Sequence, residues 1–228
     1  MQIIDDLVAK IENDTLLAET RLPSEKELGV LYAVSRTTVR QALHALESDG
    51  YVHIYKGRGT FVAAKRLNQE MSGLYGFTES MKRLGKTVST KLVDFEQIQC
   101  DERIARKMQC PVETALFRFT RVRYADNEPM LIVTTHLPCS RFPGLNADDL
   151  AARSLYAIMR DVHHVNFTKA NETLQSVRVR HGEAMLLQVE ADAPCMKIAR
   201  HTYEKESLIE YAVGIARGDK FQYNVELN

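Results

Sequence analysis

Ser35-Arg36-Thr37-Thr38-Val39-Arg40-Gln41-Ala42-Leu43-His44-Ala45-Leu46-Glu47-Ser48-Asp49-Gly50 decides how the first quarter of the chain is read. Val39, Ala42, Leu43 and Leu46 recur at the spacing of a helical stripe. Ser35 is a good N-cap, and Gly50 stands where a left-handed C-terminal cap is wanted. With the stripe turned inward, Arg36, Thr37, Arg40 and His44 fall on the outer face, where Arg36 and Arg40, four apart, are neighbours. Upstream, Ile3, Leu7, Val8 and Ile11 mark a first amphipathic helix. After Pro23, Ser24 with Glu27 forms a capping box for a second, with Leu28 and Leu31 on its inner side. Downstream, Tyr51-Val52-His53-Ile54-Tyr55 and Thr60-Phe61-Val62 flank Lys56-Gly57-Arg58-Gly59, a hairpin with a basic tip. Helix, short turn, helix and hairpin in this order predict a winged helix-turn-helix.

The chemistry of that unit fits double-stranded DNA. Two guanidiniums near a helix start can each grip guanine O6 and N7. Ser35, Thr37 and Thr38 can donate to phosphate, and Lys56 and Arg58 suit a wing that reaches a neighbouring groove or backbone. Between Arg36 and Arg66 six Lys and Arg face two acids, although over the whole chain of 228 residues 30 basic side chains cancel 30 acidic ones. A protein-interaction module of the same shape would not need Arg36 and Arg40 exposed together.

Residues 66–76 are polar and read as a linker, giving domains 1–65 and 77–228. Helical patterns at 77–84, 101–108, 154–163 and 182–190 mix with strands at 91–98, 169–180, 195–217 and 220–227. A hairpin over 115–137 turns at Asp126-Asn127-Glu128-Pro129. Helices and strands do not alternate regularly, so the second domain is expected to be α+β. No internal repeat is evident. On the strand 116–124, Phe117, Phe119, Arg121 and Arg123 share a face. A buried arginine there needs an anion, supplied either by a protein carboxylate or by a ligand. His136, following Thr134-Thr135 on a strand, reads equally as a core histidine or an effector contact.

Leu22-Pro23-Ser24-Glu25-Lys26-Glu27-Leu28, Val34 to Leu43 and Gly57-Arg58-Gly59-Thr60-Phe61-Val62 together resemble the GntR family of bacterial transcription regulators. Gly76-Phe77-Thr78-Glu79, Arg121-Val122-Arg123, Pro129, Leu137-Pro138, Ser154-Leu155-Tyr156 and Arg217-Gly218-Asp219 resemble the effector-binding UTRA domain of its HutC subfamily. The resemblance implies a homodimeric, ligand-responsive regulator, usually a repressor, whose second domain is chorismate-lyase-like with a mostly antiparallel sheet. It implies DNA contacts at Lys26, Arg36, Arg40, Gly57 and Arg58. Lys26 stands where the family more often has Arg, and a lysine is a point donor and not a fork. It further implies a pocket for a small anion, a phosphorylated sugar or a carboxylate metabolite, at Phe77, Thr78, Arg121, Ser154 and Tyr156, with Arg123 and Glu210 nearby. Two positions depart from the sugar-phosphate-binding members: an acid becomes Val133 and a tyrosine becomes Ala216.

Other classes are disfavoured. There is no G-x-S-x-G, H-E-x-x-H or Walker motif, and among the pocket positions Glu210 is the only obvious acid/base candidate, so no catalytic residues are assigned. Cys100, Cys110, Cys139 and Cys195 are scattered without a C-x-x-C pair, which argues against a disulfide framework or a zinc site and fits a reducing compartment. The adjacent His163-His164 lacks a helical metal-site partner, and no metal or cofactor is expected. No apolar run approaches the roughly 18 residues of a membrane span, and the acidic start lacks a signal peptide's basic region. A soluble, cytoplasmic protein without membrane contact is the expectation.

Overall fold

The helix anchored by Ser35 runs from Arg36 to Ser48 (α3), and Ser35 Oγ accepts the Thr38 backbone N–H at 3.2 Å. Val39, Ala42, Leu43 and Leu46 are buried on it, and Gly50 has the positive φ (78°) expected at its end. In this computed structural model, which describes residues 2–63, 67–70 and 77–224, the chain divides into two compact units, Met1–Arg66 and Leu67–Asn228.

In the first unit, α1 (Gln2–Glu12) and α2 (Glu25–Leu31) pack on α3, and β1 (Val52–Tyr55) pairs antiparallel with β2 (Gly59–Val62). Ile3, Leu7, Ile11, Leu22, Leu28 and Val62 join the α3 stripe in one core. The capping box of α2 forms as read, with Ser24 N donating to Glu27 Oε2 at 2.8 Å and Ser24 Oγ accepting from Glu27 N. Leu31 does not face inward and is 65% exposed. It is the last residue of a seven-residue helix, and Tyr32, just beyond it, packs on the core instead, its hydroxyl donating to Asp6.

In the second unit, β4 (Val88–Gln99), β5 (Ala115–Ala125), β6 (Glu128–Pro138), β7 (Lys169–Arg178), β8 (Pro194–Glu204) and β9 (Ser207–Arg217) form one antiparallel sheet in the order β4-β5-β6-β9-β8-β7. The β5–β6 turn falls at Asp126-Asn127, both with positive φ, as a tight primed hairpin requires. The expected single strand 195–217 is two strands, β8 and β9, broken at Lys205-Glu206, where Lys205 takes a positive φ. The sheet also contains a repeat invisible in the residues. A strand, a seven-residue helix and a hairpin occur as β4-α5-β5-β6 and again as β7-α8-β8-β9, with α5 (Glu102–Met108) and α8 (His181–Leu187) each ending on a left-handed glutamine, Gln109 and Gln188.

The core contacts place α5 and α8 against one face of the sheet and α6 (Ala147–Ala152) and α7 (Leu155–Asp161) against the other, where α4 (Phe77–Arg83) also contacts β4. Within the 66–76 segment read as linker, Leu67–Glu70 instead forms β3, parallel to β10 (Phe221–Asn224). A strand needs only an available edge for its backbone groups, which polar composition does not reveal. Residues 71–76 and 225–228 lie outside the described residues.

Candidate nucleic-acid interface and effector pocket

On the first unit, Lys26, Ser35, Arg36, Thr37, Thr38, Arg40, Lys56, Gly57 and Arg58 are all solvent-exposed. Ser35 is partly committed, since its hydroxyl caps α3 and shares a 2.8 Å hydrogen bond with Thr38 Oγ1. Arg40 Nη2 and Nε donate to the two carboxylate oxygens of Glu25 at 2.9 and 3.2 Å, and the guanidinium holds the Glu25 carboxyl below its usual range. Arg36 makes no ion pair with any described residue. At the wing, Gly57 (φ 78°) lets Lys56-Gly57-Arg58 turn tightly, and Arg58 lies 5.8 Å over the Tyr55 ring. These cations are exposed to solvent, with Arg40 held by Glu25 and Arg58 resting over Tyr55.

In the second unit, strand register assembles residues that are far apart in the chain. One row across the sheet runs Phe119, Thr135, Ala212, Arg200, Glu172, and the next runs Arg121, Val133, Gly214, Ile198. Above them stand Phe77 and Thr78 from α4 and Ser154 and Tyr156 at the start of α7. Together these residues line one cavity that opens to solvent. Gly214 keeps the floor low: a Cβ there would fall 2.8 Å from Leu131 Cδ1.

The polar groups of the cavity fall into two sets. Deep inside, Glu210 Oε2 accepts from Tyr156 OH (2.7 Å) and Thr202 Oγ1 (2.6 Å). Arg200 donates to Tyr156 OH (3.0 Å) and pairs with Glu172 (2.6 Å). Burial works against the charge of Arg200, but Tyr156 and Glu172 outweigh it and raise its pKa. Burial and the neighbouring Glu210 push the Tyr156 hydroxyl well above the ordinary phenol range. This set is internally satisfied.

The second set is not. Arg121 is 4% exposed, and its Nε and Nη1 are buried without a hydrogen-bond partner among the described residues. Burial, and then the Arg123 charge, lower its pKa from the ordinary guanidinium range to about 9 despite Glu210 and Tyr156. Arg123, also 4% exposed, donates through Nη2 to Thr78 Oγ1, leaves Nε unpartnered, and is lowered to about 10 by burial in spite of Glu79. Their guanidinium carbons lie 5.3 Å from the Phe119 and Phe77 rings respectively. Ser154 makes no capping bond to α7; its hydroxyl instead reaches Glu79 Oε1 at 3.2 Å. Neither arginine forms an ion pair with a described carboxylate. Two buried cations and several unused N–H donors around a cavity are chemistry suited to an anion.

The structure thus brings Phe77, Thr78, Arg121, Arg123, Ser154, Tyr156 and Glu210 to one cavity and excludes His136. Thr135 lines the cavity, so its neighbour His136 points to the opposite face of the sheet, where its ring stacks on Tyr211 at 5.9 Å and burial lowers its pKa. Of the two departures, Val133 lines the cavity. Ala216 lies one row away, fully buried and outside the lining. Glu172, Arg200 and Thr202 were not anticipated; they lie on β7 and β8, and only the register brings them to the site.

A helix-turn-helix head with an exposed basic helix and wing, on a chain whose second unit encloses a cationic small-molecule pocket, defines a DNA-binding regulator with an effector domain. Residues 1–62 match the family described as bacterial regulatory proteins, gntR family, and residues 83–222 match the UTRA domain. The chain belongs to the gntR family of bacterial transcription regulators, with a UTRA domain as its second unit, and not to a family of enzymes. It is 33% identical over 223 residues to the HTH-type transcriptional repressor NagR of Bacillus subtilis (strain 168), covering 97% of this chain and 91% of that protein. It is 30% identical to the HTH-type transcriptional repressor PhnF of Mycolicibacterium smegmatis over 232 residues, covering 100% of this chain and 94% of that one. The crystal structure of PhnF from Mycobacterium smegmatis superposes with a TM-score of 0.70, covering 94% of this chain and 95% of that chain. No helix among the described residues is long and apolar enough to cross a membrane.

Proposed function

We propose that the protein is a transcriptional repressor released from its operator by a small anionic effector bound at Arg121. The single observation that carries this is the Arg121 guanidinium, buried with two N–H donors unused at the wall of a cavity. A structural cation at that depth would have its own carboxylate. Phe77, Thr78, Ser154 and Tyr156 complete the anion end, and Arg123 and Glu210 face the remainder of the ligand. The effector is a phosphorylated sugar or, second, a carboxylate metabolite, because a guanidinium fork takes both groups bidentately. The repressor names of NagR and PhnF support the sign of regulation.

DNA is read by Arg36 and Arg40, with Lys26, Ser35, Thr37, Thr38, Lys56, Gly57 and Arg58 on the backbone or the neighbouring groove. The functional domains are residues 1–65 and 77–228, and the protein works in the cytoplasm as a homodimer, since two reading helices must meet successive major grooves about 34–36 Å apart. An effector that prefers another spacing of the heads lowers DNA affinity by its differential affinity for the two states. The test is a thermal-shift panel of phosphosugars and carboxylates on wild type and Arg121→Ala. Stabilisation of the wild type alone supports the reading, and equal stabilisation of both refutes the pocket.

A further inference from the structure

Glu25 is an acid on the face that gathers the DNA-reading cations, and its charge is felt by Arg36 and His44 as well as by Arg40. An acid there opposes binding to a phosphate backbone, so its presence requires another benefit. Ser24 and Glu27 already form the reciprocal capping box at this terminus, which leaves Glu25, a first-turn acid of a seven-residue helix, only a small gain from the helix dipole. What Glu25 does is hold Arg40. Its carboxylate takes the Nε–Nη2 edge of the guanidinium at 3.2 and 2.9 Å, while 62% of the Arg40 side chain stays exposed. The fork has five N–H bonds, and this pairing consumes one edge. The other edge, Nη1 with the remaining Nη2 hydrogen, keeps two parallel donors that no described residue takes. That is the geometry guanine O6 and N7 accept.

We infer that Glu25 is a positioning residue that sets base preference where Arg40 reads, by fixing the guanidinium before it reaches the groove. The inference rests on the assignment of Arg40 to base contact. A free arginine must lose its rotamer freedom on binding and can turn to a phosphate on any sequence; one clamped from α2 presents the same edge in every encounter. Glu25 therefore trades general affinity for discrimination.

The experiment is selection from a randomised duplex library with the full chain, comparing wild type, Arg40→Ala and Glu25→Gln, alongside affinity for a fixed non-operator duplex and the melting temperature of each protein. Arg40→Ala identifies the base position that loses its preference. Glu25→Gln is expected to weaken guanine preference at that same position about three- to tenfold, leave the others intact, and bind the non-operator duplex more tightly than wild type. Unchanged preference at that position in Glu25→Gln would overturn the proposal, as would a uniform loss at all positions with a lowered melting temperature, the signature of a structural role. If Arg40→Ala changes no position, the assignment of Arg40 fails first and the positioning role with it.

Discussion

Replacing Arg121 with methionine should stabilise the empty protein while abolishing its response to anions. A guanidinium whose pKa has fallen from its ordinary range to about 9 costs the folded state about 5 kcal/mol at about 1.4 kcal/mol per pH unit. The sign follows from the depressed pKa of a cation: the cost is present in full below about pH 9 and fades only as pH rises above it toward the ordinary guanidinium range. Methionine of similar length removes that cost. That cost is already net of the attraction to Glu210 and Tyr156. Part of the gain is returned because Phe119 loses its cation, about 0.5–2 kcal/mol, and because methionine does not fill the planar guanidinium's site as well. The Glu210 carboxylate keeps its hydrogen bonds from Tyr156 and Thr202, so the net stabilisation should be about 2–3 kcal/mol. For a unit of this size that raises the melting temperature by about 5–10 °C. The assay is thermal denaturation at pH 7.5 with and without each anion. Wild type should gain on adding the effector, about 2.7 kcal/mol at a hundredfold excess over Kd, and Arg121→Met should gain nothing. A variant that melts several degrees below wild type would show that Arg121 is a structural cation with a protein counter-ion, and the argument for an anion site would fall.

The remaining predictions address both units. Arg36→Ala and Arg40→Ala should each cost about 1–3 kcal/mol of operator affinity and relax base preference at one position, read by gel shift on selected duplexes; unchanged affinity in both would mean α3 is not the reading helix. Arg58→Ala should weaken all duplexes alike and reduce the slope of log affinity against log salt by about one. Tyr156→Phe removes a donor from the buried Glu210 and an acceptor from Arg200, so it should cost about 1–3 kcal/mol of stability by denaturant unfolding, opposite in sign to Arg121→Met. Ser24→Ala should lose about 1 kcal/mol through the α2 cap, measured the same way.

How much of this the sequence announces depends on whether the signal is local. The α3 stripe, the Ser35 and Ser24 caps and the Asp126-Asn127 turn are legible because each is settled within a few residues. The break between β8 and β9 is not, since Lys205-Glu206 carries no Gly, Pro or Asn and Leu208 to Ala212 are buried in succession, which hides the period-two alternation. His136 fails for a related reason: Thr135, His136 and Leu137 are all buried, so burial alone does not say which face is the pocket. Arg121 and Arg123 were legible as a shared face of one strand. Arg200 and Glu172 belong to the site through the register of β7, β8 and β9, which no window of the chain contains. The repeated strand-helix-hairpin unit likewise lives in element order and not in residue identity.

Coupling between the two units is the central claim, and fluorescence anisotropy on a selected operator duplex, titrated with each anion that stabilises the wild type, tests it most directly. At least one such anion should weaken operator binding by about 5–150-fold in wild type and by nothing in Arg121→Met. Anions that bind the wild type through Arg121 yet leave its operator affinity unchanged would contradict the account.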